Sequence, residues 1–128
     1  MEMISKKYKY AVVGVSSNPE KYGHKVYRDF LENGYPTYPI NPKLDVILGN
    51  EVYKSINDTP AKPDVVIFVV PPEVTLEVLR EVQRIGITKV WMQPGSESIE
   101  AINFCLNNDI ECIHDACIMI ERKKLWMT

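Results

Sequence analysis

The heptapeptide DVVIFVV (64–70) constrains the fold more than any other stretch of this chain. It is apolar without alternation and rich in β-branched residues, as expected of a parallel strand covered on both faces. Such a strand needs a partner layer on each side. YAVVGV (10–15), KVWMQ (89–93) and IECI (110–113) are further apolar runs of strand length. YPTYPI (35–40) is a fifth candidate, whose two prolines suit only an edge or a strand end.

Helical periods fill the gaps. Val26, Tyr27, Phe30 and Leu31 form one stripe, followed by Gly34 where a C-cap glycine belongs. Val74, Val78, Leu79, Val82 and Ile85 form a second, entered through Pro71 and Pro72 and closed by Gly86. A third is predicted from about Glu97 to Asn108, with Ser96 as N-cap and Ile99, Ile102, Phe104 and Leu106 as its apolar positions. A short fourth covers ACIMIERKKLW. Strand and helix in alternation mean βαβ units with right-handed crossovers. The expectation is an α/β chain with one Rossmann-like domain over residues 1–128: a doubly wound, parallel five-stranded sheet of order 3-2-1-4-5, with helices on both faces. Residues 44–62 promise only a short extended piece near Glu51 to Tyr53 and a turn of helix.

In an open parallel sheet, ligands bind beyond the carboxyl ends of the strands, where the strand order reverses. Those ends are GVSSNPEKYG, INPK, VVPPE and MQPGSES, all rich in turn formers. The first carries Gly14, Ser16, Ser17, Lys21 and Gly23. It is not a GxGxxG fingerprint, yet it has the parts of a phosphate cradle: a glycine for close backbone approach, hydroxyls, and N–H groups at a helix start. The same pieces also compose an ordinary βα turn in which Ser17 or Asn18 caps the helix. At the second strand end, where a plain NAD site places a carboxylate for the ribose, stand Asn41, Pro42 and Lys43. A cation there suits a phosphorylated ribose, or Lys43 is simply a solvated turn residue, as most lysines are. Val70, Pro71 and Pro72 make a rigid apolar ledge for a flat base, or simply start a helix.

The net charge of −2 on 128 residues points to neither nucleic acid nor an anionic membrane as partner. No apolar run reaches signal-peptide or transmembrane length, so a cytoplasmic location is expected. The three cysteines, Cys105, Cys112 and Cys117, lack a CxxC pair and are expected to be reduced. His24, at the start of the first helix, either faces the ligand loop or, as expected of a solitary histidine, lies on the surface. Cys112, His114 and Cys117 have irregular spacing and no fourth ligand, so no metal is expected.

Taken in order, VVGVSSNPEKYGHKV, YPINPK, FVVPPE, VWMQPGSES and DACIMIE resemble the CoA-binding domain family. That family includes small stand-alone bacterial and archaeal proteins, and its Rossmann-like fold is shared with the N-terminal domain of the succinyl-CoA synthetase α subunit. The resemblance runs from about Tyr10 to Glu121. It implies coenzyme A or acyl-CoA as ligand, with Gly14, Ser16, Ser17, Lys21 and Gly23 around the diphosphate. It further implies Asn41, Pro42 and Lys43 at the adenosine ribose, Lys43 meeting its 3′-phosphate. Val70, Pro71 and Pro72 would lie beside the adenine, and Gln93, Pro94 and Gly95 toward the pantetheine arm. Cys117, in the D-x-C segment, would lie near the end of that arm, in reach of a mixed disulfide with CoA. The synthetase phosphohistidine belongs to a second domain, so ligase activity is not implied and the expected role is non-catalytic binding or sensing. An NADP-dependent oxidoreductase and a partner-binding flavodoxin-like module remain alternatives. Trp126, in the C-terminal KKLWMT, leaves a homo-oligomer or a protein partner open.

Overall fold

The computed structural model describes residues 3–125. Strand β1 (Tyr10–Val13) leads into α1 (Tyr22–Glu32), β2 (Thr37–Ile40), a small hairpin of β3 (Val46–Ile47) and β4 (Asn50–Glu51), and a 3₁₀ turn at Ile56–Asp58. Then follow β5 (Val65–Phe68), α2 (Pro72–Ile85), β6 (Lys89–Met92), α3 (Ile99–Asn107), β7 (Glu111–Ile113) and α4 (Ile118–Lys124). The main sheet has five strands in the order β2-β1-β5-β6-β7, every neighbour parallel. The α/β class and the five parallel strands are as the sequence predicts.

Side-chain alternation explains the apolar runs. Tyr10 and Val12 of β1, with Val65 and Ile67 of β5, pack against Val26, Tyr27 and Phe30 of α1 and Ile118 of α4. Ala11, Val13, Val66 and Phe68 point the other way, onto Leu79 and Val82 of α2 and Ala101 and Cys105 of α3. Both faces are buried, so a polar group on either needs a hydrogen-bond partner, as the Tyr10 hydroxyl has in Met3 O. Helices α1 and α4 are joined besides by an ion pair, in which Arg122 Nε and Nη2 donate to Asp29 Oδ2 and Oδ1 at 2.7 and 2.8 Å.

The expected order 3-2-1-4-5 is corrected: counted along the chain, the five sheet strands lie 2-1-3-4-5, the other common doubly wound arrangement. The reason lies between β2 and β5. That segment forms the β3–β4 hairpin, pinned by buried Ile47 and Val52, and meets β2 through a parallel bridge of Ile40 and Tyr53 and an edge-to-face contact of the Tyr38 and Tyr53 rings rather than through a full strand. Among the described residues no full strand lies outside β2, and β5 crosses to the other side of β1. Proline-bearing β2 is thus the sheet edge, as its sequence requires.

Helix α3 is corrected as well. Its cap is Ser98, whose Oγ accepts from Ala101 N at 3.0 Å. Ser96 is buried instead and accepts from Val70 N at 3.0 Å. The helix buries small Ala101 and Cys105 at i, i+4, leaving Ile99 and Leu106 exposed. Among the described residues no helix is long and apolar enough to cross a membrane. Trp126 lies outside the described residues.

Candidate functional site

The strand order reverses between β1 and β5, and two adjoining concavities open there. One is an apolar cleft of about 320 Å³ between the end of β2 and the start of α2, walled by Ile40, Pro42, Ile56, Val70, Val74 and Val78. Its neighbour, more open and about 500 Å³, lies over Gly14, Ser16, Lys21, Tyr22, Gly23 and Pro71. Gly14, Asn41 and Val70 belong to both.

Two glycines let the walls meet. Gly14 has φ +104°, and a Cβ there would lie 2.3 Å from Val69 O and 2.6 Å from Val70 Cγ1. A Cβ on Gly23 would lie 2.0 Å from Gly14 O. Helix α1 therefore starts in backbone contact with the end of β1. The capping alternative for this loop does not hold: Lys21 occupies the N-cap position and no side chain caps the helix. His24 N and Lys25 N bond back to Lys21 O, while Tyr22 N and Gly23 N have no partner among the described residues. An uncapped helix start facing a concavity presents oriented donors and a positive dipole end to an anion.

The loop is held by its own side chains. Ser16 Oγ accepts from Asn18 N at 3.1 Å, and Asn18 Oδ1 accepts from Glu20 N at 3.0 Å. Asn41 donates through Nδ2 to Val15 O at 2.7 Å and accepts from Lys43 N at 2.8 Å. His24, expected at the surface, is 4% exposed, with Nδ1 2.9 Å from Ser16 O. It is buried because a helical side chain leans toward the N-terminus of its helix, and the loop folds back over it.

Of the sequence-predicted residues, Gly14, Ser16, Lys21, Gly23, Asn41, Pro42, Val70 and Pro71 come together around the concavities. Ser17, Lys43, Pro72, Pro94 and Gly95 line neither. Lys43 is exposed, two residues beyond Asn41 at the rim. Gln93 and Cys117 meet in a separate cluster at the end of β6. There buried Gln93 accepts from Ile118 N at 2.7 Å and donates through Nε2 to the half-buried Cys117 Sγ at 3.4 Å. Cys112 turns away from Cys117, toward buried Cys105 and the Met92 sulfur at 3.8 Å.

Several lining residues escape the sequence reading. Ser55 and Ile56 come from the 3₁₀ turn, and Val74 and Val78 belong to a stripe that reads as core. At the rim, Ser55 Oγ donates to Glu81 at 3.1 Å and Asn57 Nδ2 donates to the same carboxylate. Lys54 also faces the cleft and pairs with Asp45 at 2.7 Å. That pairing holds the exposed Asp45 carboxyl below the usual carboxylate range.

The sequence profile described as "CoA binding domain" matches residues 8–123. The chain is 33% identical over 101 residues to the ADP-forming acetate–CoA ligase of Methanocaldococcus jannaschii, a match covering 79% of this chain but 14% of the ligase. Among solved structures, a conserved hypothetical protein from Pyrococcus furiosus superposes with a TM-score of 0.85 at 42% identity, over 89% of this chain and 98% of that one. The acetyl-coenzyme A synthetase 1 of Ca. Korarchaeum cryptofilum, solved with phosphate and ADP, gives 0.68 at 28% identity, over 82% of this chain and 25% of that one. The chain thus spans a small part of the ligases it matches and nearly the whole of the small protein.

Proposed function

Because this chain belongs to the CoA-binding domain family, we propose that it binds coenzyme A or an acyl-CoA along the crevice between β1 and β5, as a binding or sensing module without catalysis of its own. The observation that carries the reading is the adjacency of two unlike surfaces. An uncapped helix start backed by glycines suits a diphosphate, and the apolar cleft beside it suits a flat base. In this reading the adenine enters between Ile40 and Val74, the diphosphate lies over Gly14 and Ser16 with Lys21 alongside, and the pantetheine arm runs toward Gln93 and Cys117. The activity of the large ligases is a property of proteins several times longer than this chain.

The direct test is a thermal-shift and calorimetric comparison of coenzyme A, dephospho-CoA, NADP and NAD. A ligand at 100 times its Kd stabilises the fold by about 2.7 kcal/mol through mass action. Coenzyme A is expected to stabilise and bind most tightly, and binding of NADP alone would overturn the reading.

Two residues refine it. Lys43 is proposed to meet the ribose 3′-phosphate. It is solvent-exposed, so the contact is worth about 1 kcal/mol, less than the value for a sheltered charge-assisted bond. Lys43→Ala is expected to weaken coenzyme A about five-fold and to leave dephospho-CoA unchanged. An equal loss for both ligands, or for neither, contradicts the assignment.

Cys117 is proposed to form a mixed disulfide with the ligand. Its thiolate would attack one sulfur of a CoA disulfide, forming the Cys117–CoA bond and releasing the other CoA as a thiolate. The Gln93 amide, which donates to Cys117 Sγ, fixes the sulfur at the end of β6. Intact-mass measurement after exposure to CoA disulfide is expected to find one CoA adduct on the wild type and none on Cys117→Ser. Labelling at Cys112, or no labelling, would refute it.

A further inference from the structure

Two successive carbonyls in the loop after β1 are captured by side chains: Val15 O by Asn41 Nδ2 at 2.7 Å, and Ser16 O by His24 Nδ1 at 2.9 Å. A trans peptide carries its C=O and N–H on opposite sides, and none of the described peptides is cis. Holding Val15 O and Ser16 O therefore aims the Ser16 and Ser17 N–H groups away from Asn41 and His24. Neither N–H has a partner among the described residues. Together with the free Tyr22 and Gly23 N–H groups at the start of α1, they form an open set of donors.

The orientation matters because a loop of this kind has two faces. With either peptide flipped, a carbonyl oxygen would point where an N–H points now, and an approaching anion would meet a partial negative charge. Ser16 and Ser17 lie outside the sheet ladder, and among the described residues no backbone hydrogen bond restrains either of these two peptides. Asn41 serves the first peptide. For the second, the restraint is His24.

We propose that His24 is a positioning residue for anion binding. As the Nδ1–H tautomer it holds the Ser16 carbonyl and so presents the Ser17 N–H to the ligand diphosphate. The proposal deepens, and rests on, the reading of the crevice as a coenzyme A site. A carbonyl oxygen donates nothing, so this contact is a hydrogen bond only when Nδ1 bears the proton. Burial sets this bond apart from a surface contact, because His24 is 4% exposed and, among the described residues, its ring's hydrogen-bond partner is the Ser16 carbonyl. A side chain that merely filled space here would need no polar atom.

The test separates space filling from the hydrogen bond. His24→Leu keeps much of the volume and removes the donor, whereas His24→Asn restores an N–H close to the position of Nδ1. Calorimetric titration with coenzyme A is expected to find His24→Leu weakened about ten-fold and His24→Asn within about three-fold of the wild type. Both are expected to melt within a few degrees of each other. Equal affinities for His24→Leu and the wild type would overturn the proposal, as would His24→Asn binding no better than His24→Leu. Long-range ¹⁵N–¹H NMR of the imidazole in the ligand-free wild type gives an independent measurement. An Nδ1-protonated ring is expected, and an Nε2-protonated neutral ring would overturn the proposal whether or not coenzyme A binds or His24→Leu folds. A wild type that fails to bind coenzyme A would instead sink the reading of the ligand.

Discussion

Gly23→Ala is expected to lower the melting temperature by about 5–15 °C and to weaken coenzyme A at least about a hundred-fold. The added Cβ would lie 2.0 Å from Gly14 O and 3.1 Å from Gly14 C. Both are backbone atoms at the end of a central strand, so no side chain can swing aside to relieve the contact. The start of α1 has to lift instead. Overpacking of this kind costs about 1–3 kcal/mol, and each kcal/mol moves the melting temperature of a domain this size by roughly 3–6 °C. Binding suffers more than stability, because the same lift pulls the Tyr22 and Gly23 N–H groups away from the Ser16 loop. Two charge-assisted bonds at about 1.5 kcal/mol each account for the hundred-fold. Gly95→Ala supplies the contrast for stability. Gly95 has φ +97° but nothing within 4 Å of an added Cβ, so it meets backbone strain of about 1 kcal/mol and no clash. Thermal melts and titrations of the two variants decide, and equal stability losses would refute the steric argument.

The doubly covered sheet was legible because Val65 to Phe68 leave no face polar, and the edge position of β2 because Pro39 cannot complete a ladder on both sides. The order of the strands was not legible. Apolar runs identify strands without saying which neighbour each will take, and here the hairpin anchored by Ile47 and Val52 lies beside β2, while the third strand, expected there, pairs with the other side of β1. The cap of α3 was misread for a local reason. Ser96 and Ser98 are equally good caps in sequence, and only the approach of Val70 N to Ser96 Oγ assigns the role to Ser98.

The same division runs through the candidate site. Gly14, Ser16, Lys21, Gly23, Asn41 and Pro71 were recoverable because turn chemistry marks strand ends, and strand ends converge in a parallel sheet. Val74 and Val78 were not, since a stripe that lines a cleft has the same spacing as one that lines a core. The sequence pointed to His24 at the helix start but favoured the surface for it, because a solitary histidine whose partner is a backbone carbonyl has no functional side chain beside it to mark its role. A role carried by peptide orientation leaves no residue pattern to read.

Breaking the Asp29–Arg122 pair is expected to destabilise the fold by several kcal/mol, about 3–5 when the guanidinium is left unpaired. The pair joins α1 to α4, with both guanidinium contacts within 2.8 Å and Arg122 5% exposed. Such a pair adds little relative to apolar packing, but removing one partner strands the other charge. The loss is therefore asymmetric. Asp29→Ala leaves the guanidinium buried and is expected to cost about 3–5 kcal/mol. Arg122→Met leaves a carboxylate that is 15% exposed and able to rehydrate, and so is expected at or below the lower end of that range. The double variant is expected to recover much of the loss of Asp29→Ala, a coupling that a surface pair worth under about 1 kcal/mol cannot produce. Urea unfolding reads this as midpoints shifted at constant slope, and independent losses of under about 1 kcal/mol each would contradict it. The consequence reaches the crevice, because α1 begins beside the Ser16 loop and α4 begins at Cys117. If α4 undocks in Asp29→Ala, Gln93 loses its partners Ile118 N and Cys117 Sγ, and the end of the crevice assigned to the pantetheine arm opens while the Gly14–Gly23 contact survives.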